Sequence, residues 1–492
     1  MGQEAEWAAA VREWRSLLGR EHVATAAEEG DRIAQGTFPG GARPRCVLLP
    51  GHRDEVAACL RVAHRRQLSV HPVSTGRNWG YGSTGPRPGE AALLCLSRLD
   101  RVVDLDEELG VATVQPGVTF GSLARYLAGA GSSRWPPATG AGADTSVVGN
   151  ILQRGLGTGA YRDMAAQVRA LELVLPDGSL VGTRAPGPVG DGAEEGPGPS
   201  VNGLFLQGGP AVVTSVAMAL HPVPQWHQRV LFGLRTGSLA AVVDEARDLL
   251  QRIPAGLTLD LRNRPRIAAQ WPARAAAAPS PPPQLPKVLD GDWTGCAELW
   301  ADSAALLEAT RDRVLARMSA HAEHWHLQAP LPGAPPGGGS GGLACAYRHK
   351  PAGVRSGPSP DPGRDGCGVL WFAPVLPMRG VKAAEAVRVI ERAMVAHGME
   401  PCLALRLGAR VLHCVAGLFW DRDDAAAESR AMACHRRLAA DCARLGAYPY
   451  RPLLARVEAQ SVDGSVRDLL ARLRQAVDPH GVLPHPHGAG IP

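Results

Sequence analysis

Between residues 46 and 63 the chain reads CVLLPGHRDEVAACLRVA. A short apolar run and a polar turn are followed by Val56, Cys59, Leu60 and Ala63, spaced three and four apart. That pattern predicts a buried strand, then a helix opened by Asp54 and Glu55. The N-terminal MGQEAEWAAAVREWRSLLG carries the same period and predicts an amphipathic helix. LSVHPV predicts a strand, and ALLCLSRLDRVVDLDEELGVATVQPGVT predicts strands around an acidic turn. TFGSLARYLAGAG predicts a helix begun at Thr119 and closed by Gly129 and Gly131. VRALELVLPDGSLV predicts a strand, a Pro-Asp-Gly turn and a returning strand.

The second half changes character. GSLAAVVDEARDLLQRI, SAALLEATRDRVLARMSAH, KAAEAVRVIERAMVAHG and ESRAMACHRRLAADCARLG are helix patterns, interleaved with strand-like RVLFGLR, GVLWFAPVL and RVLHCVAGLFW. Helices packed on an antiparallel sheet suit that order, so the fold class is α+β. PARAAAAPSPPPQLP and APLPGAPPGGGSGG read as loops within this half, and LLARLRQAV as a closing helix stopped by Asp478 and Pro479.

At 492 residues the chain is too long for one simple core. A net charge of +5, spread over helical faces, gives no basic stripe and points away from nucleic acid. The N-terminus lacks the layout of a secretory signal, and no apolar run reaches membrane-spanning length, so the expectation is a cytoplasmic protein without a membrane partner. Ten cysteines without a C-x-x-C argue for reduced, buried thiols rather than a metal site or redox pair. Prolines in the closing HGVLPHPHG preclude histidines at i,i+4 on a helix, so no metal is expected there.

Two glycine-rich passages stand out. STGRNWGYG, residues 74–82, comes after a predicted strand in the order G-x-x-x-G-x-G, which is neither the Rossmann nor the Walker A pattern. Successive N–H groups can converge on an anion only where side chains leave the backbone bare. Ser74, Thr75 and Asn78 add short donors there, and Arg77 adds charge. The second passage, residues 136–164, sets six glycines among small polar residues around an apolar VVGNIL. Two such loops, each beside strands, suit an extended cofactor with a pyrophosphate at its middle.

Taken together, PVSTGRNWGYGSTGP, VQPGVTFGSLARYL, TSVVGNILQRGLGTGAYRDM, GLFLQGGPAVVTSVAMALHP, YPYRPLLARVEA and AVDPHGVLPHPHGAGI resemble the flavin-binding oxidoreductases of the vanillyl-alcohol oxidase and 4-cresol methylhydroxylase family, over essentially the whole chain. The resemblance implies a two-domain PCMH-type fold: an FAD-binding domain at residues 1–226, completed by 455–492, and a substrate domain of antiparallel sheet and helices at 227–454. It implies FAD held by Ser74, Thr75, Gly76, Arg77, Asn78, Gly80, Tyr81 and Gly82 of the first loop. Thr145, Ser146, Gly149, Asn150 and Gly155 of the second loop would complete the cradle, with Val212 near the adenine end. The amides of Thr75 to Asn78, with Tyr81 and Gly82 just beyond, would face the pyrophosphate and ribityl chain.

The phenol-oxidising members bind a phenolate oxygen with two tyrosines and an arginine and place an aspartate near the reacting carbon. The matching positions are Tyr81, Tyr450, Arg451 and Asp163, and His413 falls where the family often carries histidine. Hydride leaves a benzylic carbon more readily when the para oxygen is already O⁻, because the product is then a neutral quinone methide. An arginine with two tyrosine hydroxyls stabilises that O⁻. Read singly, Tyr450 and Arg451 also suit a structural turn, Asp163 a cap on a helix through AAQVRAL, and His413 a core strand.

Departures accompany the match. The position of the family's flavin-tethering histidine is Val369, which implies non-covalent FAD. Arg162 and Met164 flank Asp163 where relatives carry Gly and His. The expected reaction is oxidation of a small aromatic substrate, a para-substituted phenol, with dioxygen or an electron-carrier protein as acceptor and a homodimer as the expected assembly. The rivals are oxidation of another alcohol, 2-hydroxy acid or biosynthetic intermediate on the same scaffold, and a non-catalytic binding protein.

Overall fold

The computed structural model describes residues 2–25, 36–38, 43–82, 91–184, 198–253, 255–270, 287–289, 291–333, 361–363, 365–451 and 463–483. All of PARAAAAPSPPPQLP and the histidines after Leu483 lie outside them. The chain divides into two compact units, one of residues 1–157, 161–222 and 452–492, the other of 158–160 and 223–451. No helix among the described residues is long and apolar enough to cross a membrane.

The first unit holds two small sheets. Strands β1 (Val23–Thr25), β2 (Cys46–Leu48), β3 (Ser69–Val73) and β4 (Ala91–Cys95) form a four-stranded sheet in the order β1-β2-β4-β3, with β4 parallel to both β2 and β3. Helix α1 (Gly2–Leu18) packs on α2 (Arg53–Arg66), and α2 crosses from β2 to β3. The residues that gave the helical period, Val56, Cys59, Leu60 and Ala63, are all buried. Trp7 and Trp14 of α1 join them in one core, where the Trp14 indole donates to the Cys59 carbonyl at 3.1 Å. His52, rather than Asp54, caps α2, its ring accepting from the Asp54 amide.

Strands β5 (Val102–Asp106), β6 (Val111–Val114), β7 (Val168–Val174), β8 (Leu180–Gly182) and β9 (Val212–Ala219) make an antiparallel sheet in the order β5-β6-β9-β7-β8. Helix α3 (Phe120–Gly129) opens with a complete capping box between Thr119 and Ser122, so its start is encoded locally. VVGNIL, expected as the apolar centre of a loop, is instead a helix, α4 (Val147–Leu152). Ser146 explains the difference: its hydroxyl accepts from the Gly149 amide at 2.9 Å and donates to the Pro116 carbonyl at 2.6 Å.

The second unit is built on nine antiparallel strands. The main path runs β13 (Ala322–Leu327), β10 (Trp226–Leu234), β12 (Trp293–Ala301), β11 (Leu257–Asn263), β17 (Cys402–Leu407), β18 (Val411–Asp421), β15 (Cys367–Phe372). Strand β14 (Leu331–Pro332), inside a stretch expected to be loop, pairs with β10, and β16 (Val375–Pro377) pairs with β18. All four expected helices form: α5 (Leu239–Arg252), α7 (Ala304–Met318), α8 (Gly380–Ala396) and α9 (Ala425–Ala443), joined by the short α6 (Arg264–Gln270). Strands β11, β12, β13 and β17 are additions to those expected from the hydrophobic pattern.

Helices α5 and α8 meet at Gly380, where a Cβ would lie 1.9 Å from the Ala240 carbonyl oxygen. Neither backbone can yield alone, so Gly380→Ala is expected to cost about 1–3 kcal/mol. The measurement is thermal denaturation; an unchanged midpoint would mean the two helices part without penalty.

Candidate functional site

The glycine loop 74–82 leaves β3 and turns twice through left-handed backbone, at Gly76 (φ 70°) and Gly80 (φ 74°), which side-chain-bearing residues rarely adopt. The Gly80 amide donates to Thr37 Oγ1 at 2.9 Å, and the amides of Tyr81 and Gly82 both donate to the Asn78 carbonyl at 3.2 Å. The turn therefore uses the amides of Tyr81 and Gly82 internally. The Arg77 guanidinium stacks 5.6 Å over the Trp79 ring. Ser74 to Asn78 are half-buried, whereas Gly80, Tyr81 and Gly82 are buried.

The second loop docks on the first. The Ser146 amide donates to Thr75 Oγ1 at 3.2 Å, and a Cβ at Gly149 would lie 2.4 Å from Ser74 Oγ. Gly149 is thus required by the close approach of Ser74. Thr145 uses its hydroxyl within its own loop, donating to the Ala141 carbonyl at 3.1 Å. The Gly155 amide donates to the Asn150 carbonyl at 2.7 Å, and a Cβ at Gly155 would lie 2.2 Å from Asn150 Oδ1. That Oδ1 is buried and has no hydrogen-bond partner among the described residues. Val212 begins β9 opposite Val174, its side chain inside the hydrophobic core, so only its backbone is left for a ligand.

Asp163 is exposed, and its Oδ1 accepts from the amides of Ala165 and Ala166 at 3.0 and 3.2 Å. The cap is real, but it opens a single 3-10 turn, Ala165–Gln167, which leads into β7 rather than a helix. Valine and the alternating apolar positions of VRALELV favour the strand. Tyr161, two residues earlier, is fully buried; its hydroxyl donates to the Trp135 carbonyl and accepts from the His221 amide at 2.9 Å. Burial pushes its phenol well above the ordinary tyrosine range, so it stays neutral and structural.

In the second unit the structure brings together His413 and Tyr450. His413 lies on β18 opposite Val375 of β16 and Arg406 of β17. The Tyr450 amide donates to the Ala373 carbonyl at 3.2 Å, and the Val375 amide to the Tyr448 carbonyl at 2.9 Å. These bonds lay the Tyr450 segment beside the turn between β15 and β16, and set the Tyr450 ring edge-on to His413 with centroids 4.9 Å apart. Arg451 is the next residue and is half-buried, as are the other two. Val369, at the tether position, is buried on β15 opposite Phe419.

Pattern reading missed the charged residues that share His413's face of the sheet. Directly opposed residues of an antiparallel pair point the same way. Register therefore groups Arg229 with Glu298, Asp260 with both Cys296 and Arg406, and Arg406 with His413. Arg262 is two residues from Asp260 on β11, hence on the same side. The signal was present in LTLDLRN, which alternates strictly: Leu257, Leu259 and Leu261 are buried, and Thr258, Asp260 and Arg262 half-buried. Among the described residues, no group of three His, Cys, Asp or Glu is placed to hold a metal.

Known proteins resemble this chain in sequence and in fold. The FAD binding domain family matches residues 44–184. The chain is 33% identical over 526 residues to the 1'-carboxy-chondrochloren decarboxylase of Chondromyces crocatus, covering 96% of each chain. It is 24% identical over 522 residues to the 4-cresol dehydrogenase [hydroxylating] flavoprotein subunit of Pseudomonas putida, covering 98% of this chain and 95% of that one. Its fold matches the crystal structure of p-cresol methylhydroxylase with substrate bound, with a TM-score of 0.83 and 21% identity, over 97% of this chain and 96% of that one.

Proposed function

Because the chain belongs to the PCMH-type FAD-dependent oxidoreductases, the family of vanillyl-alcohol oxidase and 4-cresol methylhydroxylase, we propose that it oxidises a para-substituted phenol at its benzylic carbon. FAD is the cofactor. The residues present fit it: Asn150 Oδ1 is a buried acceptor without a hydrogen-bond partner among the described residues. Ser74 to Asn78, with Gly149, Asn150 and Gly155, would hold it, and Val369 leaves it non-covalent. When bound, FAD supplies the hydride acceptor.

Tyr450 and Arg451 hold the phenol oxygen as O⁻, and His413 sets the Tyr450 ring by edge-on contact. Charge-assisted hydrogen bonds to the phenolate lower its pKa, so the reactive form exists at neutral pH. Asp163, whose second oxygen is not used by the cap, is an exposed carboxylate able to take a proton from water. The observation that best supports this reading is the His413–Tyr450 contact, with Arg451 next in sequence.

A second reading comes from the Chondromyces crocatus relative, a carboxy-compound decarboxylase. If the substrate bears a carboxylate on the carbon beside the benzylic one, the quinone methide can lose CO2. The C–COO⁻ electron pair then becomes the new C=C bond and restores the phenolate. Both readings start with the same hydride loss, and dioxygen or an electron-carrier protein takes the electrons onward.

Anaerobic addition of 4-alkyl and 4-hydroxymethyl phenols to the FAD-reconstituted protein is expected to bleach the visible flavin band, whereas 2-hydroxy acids and sugars leave it. Bleaching by hydroxy acids alone would assign the scaffold to a non-phenolic alcohol, and a protein that takes up no flavin would be a binding protein.

A further inference from the structure

We infer that Gln167, held by His221, is a positioning residue that fixes Asp163 for the addition of water to the oxidised substrate; this rests on the phenol reading above. Asp163 is exposed, but the segment that carries it is tied from both sides. The Gln167 side-chain nitrogen donates to the Asp163 carbonyl at 3.1 Å, and Asp163 Oδ1 accepts from the amides of Ala165 and Ala166. Backbone and carboxylate are both held, and Oδ2 is the oxygen left for chemistry. Gln167 itself is only 7% exposed. A buried amide bonded at both ends fixes its neighbours firmly, because breaking either bond leaves a polar group without water.

The other end of that amide meets His221, with Gln167 Oε1 3.1 Å from His221 Nε2. The Asp163 carbonyl can only accept, so the Gln167 nitrogen must face it and the Gln167 oxygen must face the imidazole. His221 Nε2 accordingly carries the proton and donates. Burial, with the Arg169 charge, holds the imidazole below its ordinary pKa, which keeps it neutral. His221 is secured in turn. Its amide donates to the Tyr161 hydroxyl at 2.9 Å, and its carbonyl accepts from the Trp135 amide at 2.7 Å. Its ring stands edge-on to Tyr161 with centroids 4.9 Å apart. His221 follows β9 by two residues, so a chain of bonds runs from the five-stranded sheet through His221 and Gln167 to Asp163.

The quinone methide of 4-ethylphenol has two fates. Water can add at the benzylic carbon, its proton passing to Asp163 Oδ2 and the exocyclic C=C pair returning to the ring oxygen as O⁻. Otherwise the methyl group loses a proton, and its C–H pair becomes a vinyl C=C with the same return of electrons to the ring. A well-placed Asp163 favours the first fate, whereas hydride loss precedes both.

The test is product analysis with 4-ethylphenol, alongside single-turnover flavin reduction, in the FAD-reconstituted enzyme. Gln167→Leu, Gln167→Glu and His221→Leu should each lower the ratio of 1-(4-hydroxyphenyl)ethanol to 4-vinylphenol about fivefold, the worth of one hydrogen bond. The reduction rate should stay within about twofold of wild type. Gln167→Glu keeps the acceptor for His221 and loses only the donor to Asp163. His221→Gln retains an N–H donor and should recover much of the wild-type ratio. Equal loss of reduction and hydration would make the pair structural and overturn the inference, as would an Asp163→Asn variant with an unchanged product ratio. Should no phenol reduce the wild-type flavin, the phenol reading fails separately, and hydrogen exchange of the holoenzyme decides the placement of Asp163 alone. Exchange of the Ala165 and Ala166 amides about fivefold faster in both Leu variants, with β7 and β9 unchanged, sustains it. Unchanged exchange, or faster exchange throughout the unit, refutes it.

Discussion

Replacing Arg451 with glutamine should lower the rate of flavin reduction by a 4-alkylphenol by about two decades at neutral pH. A free phenol ionises near pH 10. If Arg451 supplies the positive charge that brings this down on the enzyme, its removal lets the bound phenol's pKa rise. The loss should then be greatest near pH 7 and shrink as pH approaches 10, where solvent alone makes the phenolate. Single-turnover reduction over that pH range is the measurement. A loss of the same size at every pH would mean that Arg451 shapes the Tyr450 segment rather than charging the substrate. Tyr450→Phe should act in the same direction with smaller effect, because a neutral donor contributes less than a charged one.

The second large effect is expected at the meeting of the two glycine loops. Gly149→Ala places a methyl 2.4 Å from Ser74 Oγ. Both groups lie on backbone held by other bonds, Ser146 to Thr75 on one side and the α4 cap on the other. The loops must separate, at a cost of about 1–3 kcal/mol, which is about ten- to a hundredfold in FAD affinity if the cofactor needs them together. Ser74→Ala in the same chain removes the colliding oxygen and should restore much of that affinity, since the next nearest atom to the new methyl is the Ser146 side chain at 3.3 Å. FAD titration of the single and double variants reads both numbers. Undiminished affinity in Gly149→Ala would show that the loops can part without disturbing the cofactor cradle.

Much of the fold was legible in the chain because its signals are local. The α2 period, the Thr119 capping box and the four long helices of the second unit each need only a dozen neighbouring residues to declare themselves. The glycine loops were visible for the same reason, since bare backbone in that density is costly unless a turn or a ligand uses it. Some of the elements that escaped were too short or too polar. Six residues of α4 make less than two turns, too little for a period, although Ser146 ahead of them was a usable cap signal. Strand β11 sits mid-sheet yet carries Asp260, a residue type depleted in strands, and the charged Arg262. Nothing nearby in sequence showed that cross-strand partners would meet their charge.

Motifs in the chain were thus enough to indicate an α+β flavoprotein and to nominate residues of its glycine loops and of the proposed phenolate constellation. Their working relations came from pairing between distant segments. Gly149 answers to Ser74, Asn150 to Gly155 folding back on it, His413 to Tyr450, and Arg406 to an aspartate nearly 150 residues away. Short-range sterics and hydrogen bonding decide local backbone conformation, and so leave a mark in the sequence. Which charges share a sheet face depends on strand order and register, which are set by the burial of the whole sheet, and no stretch of residues carries that information alone.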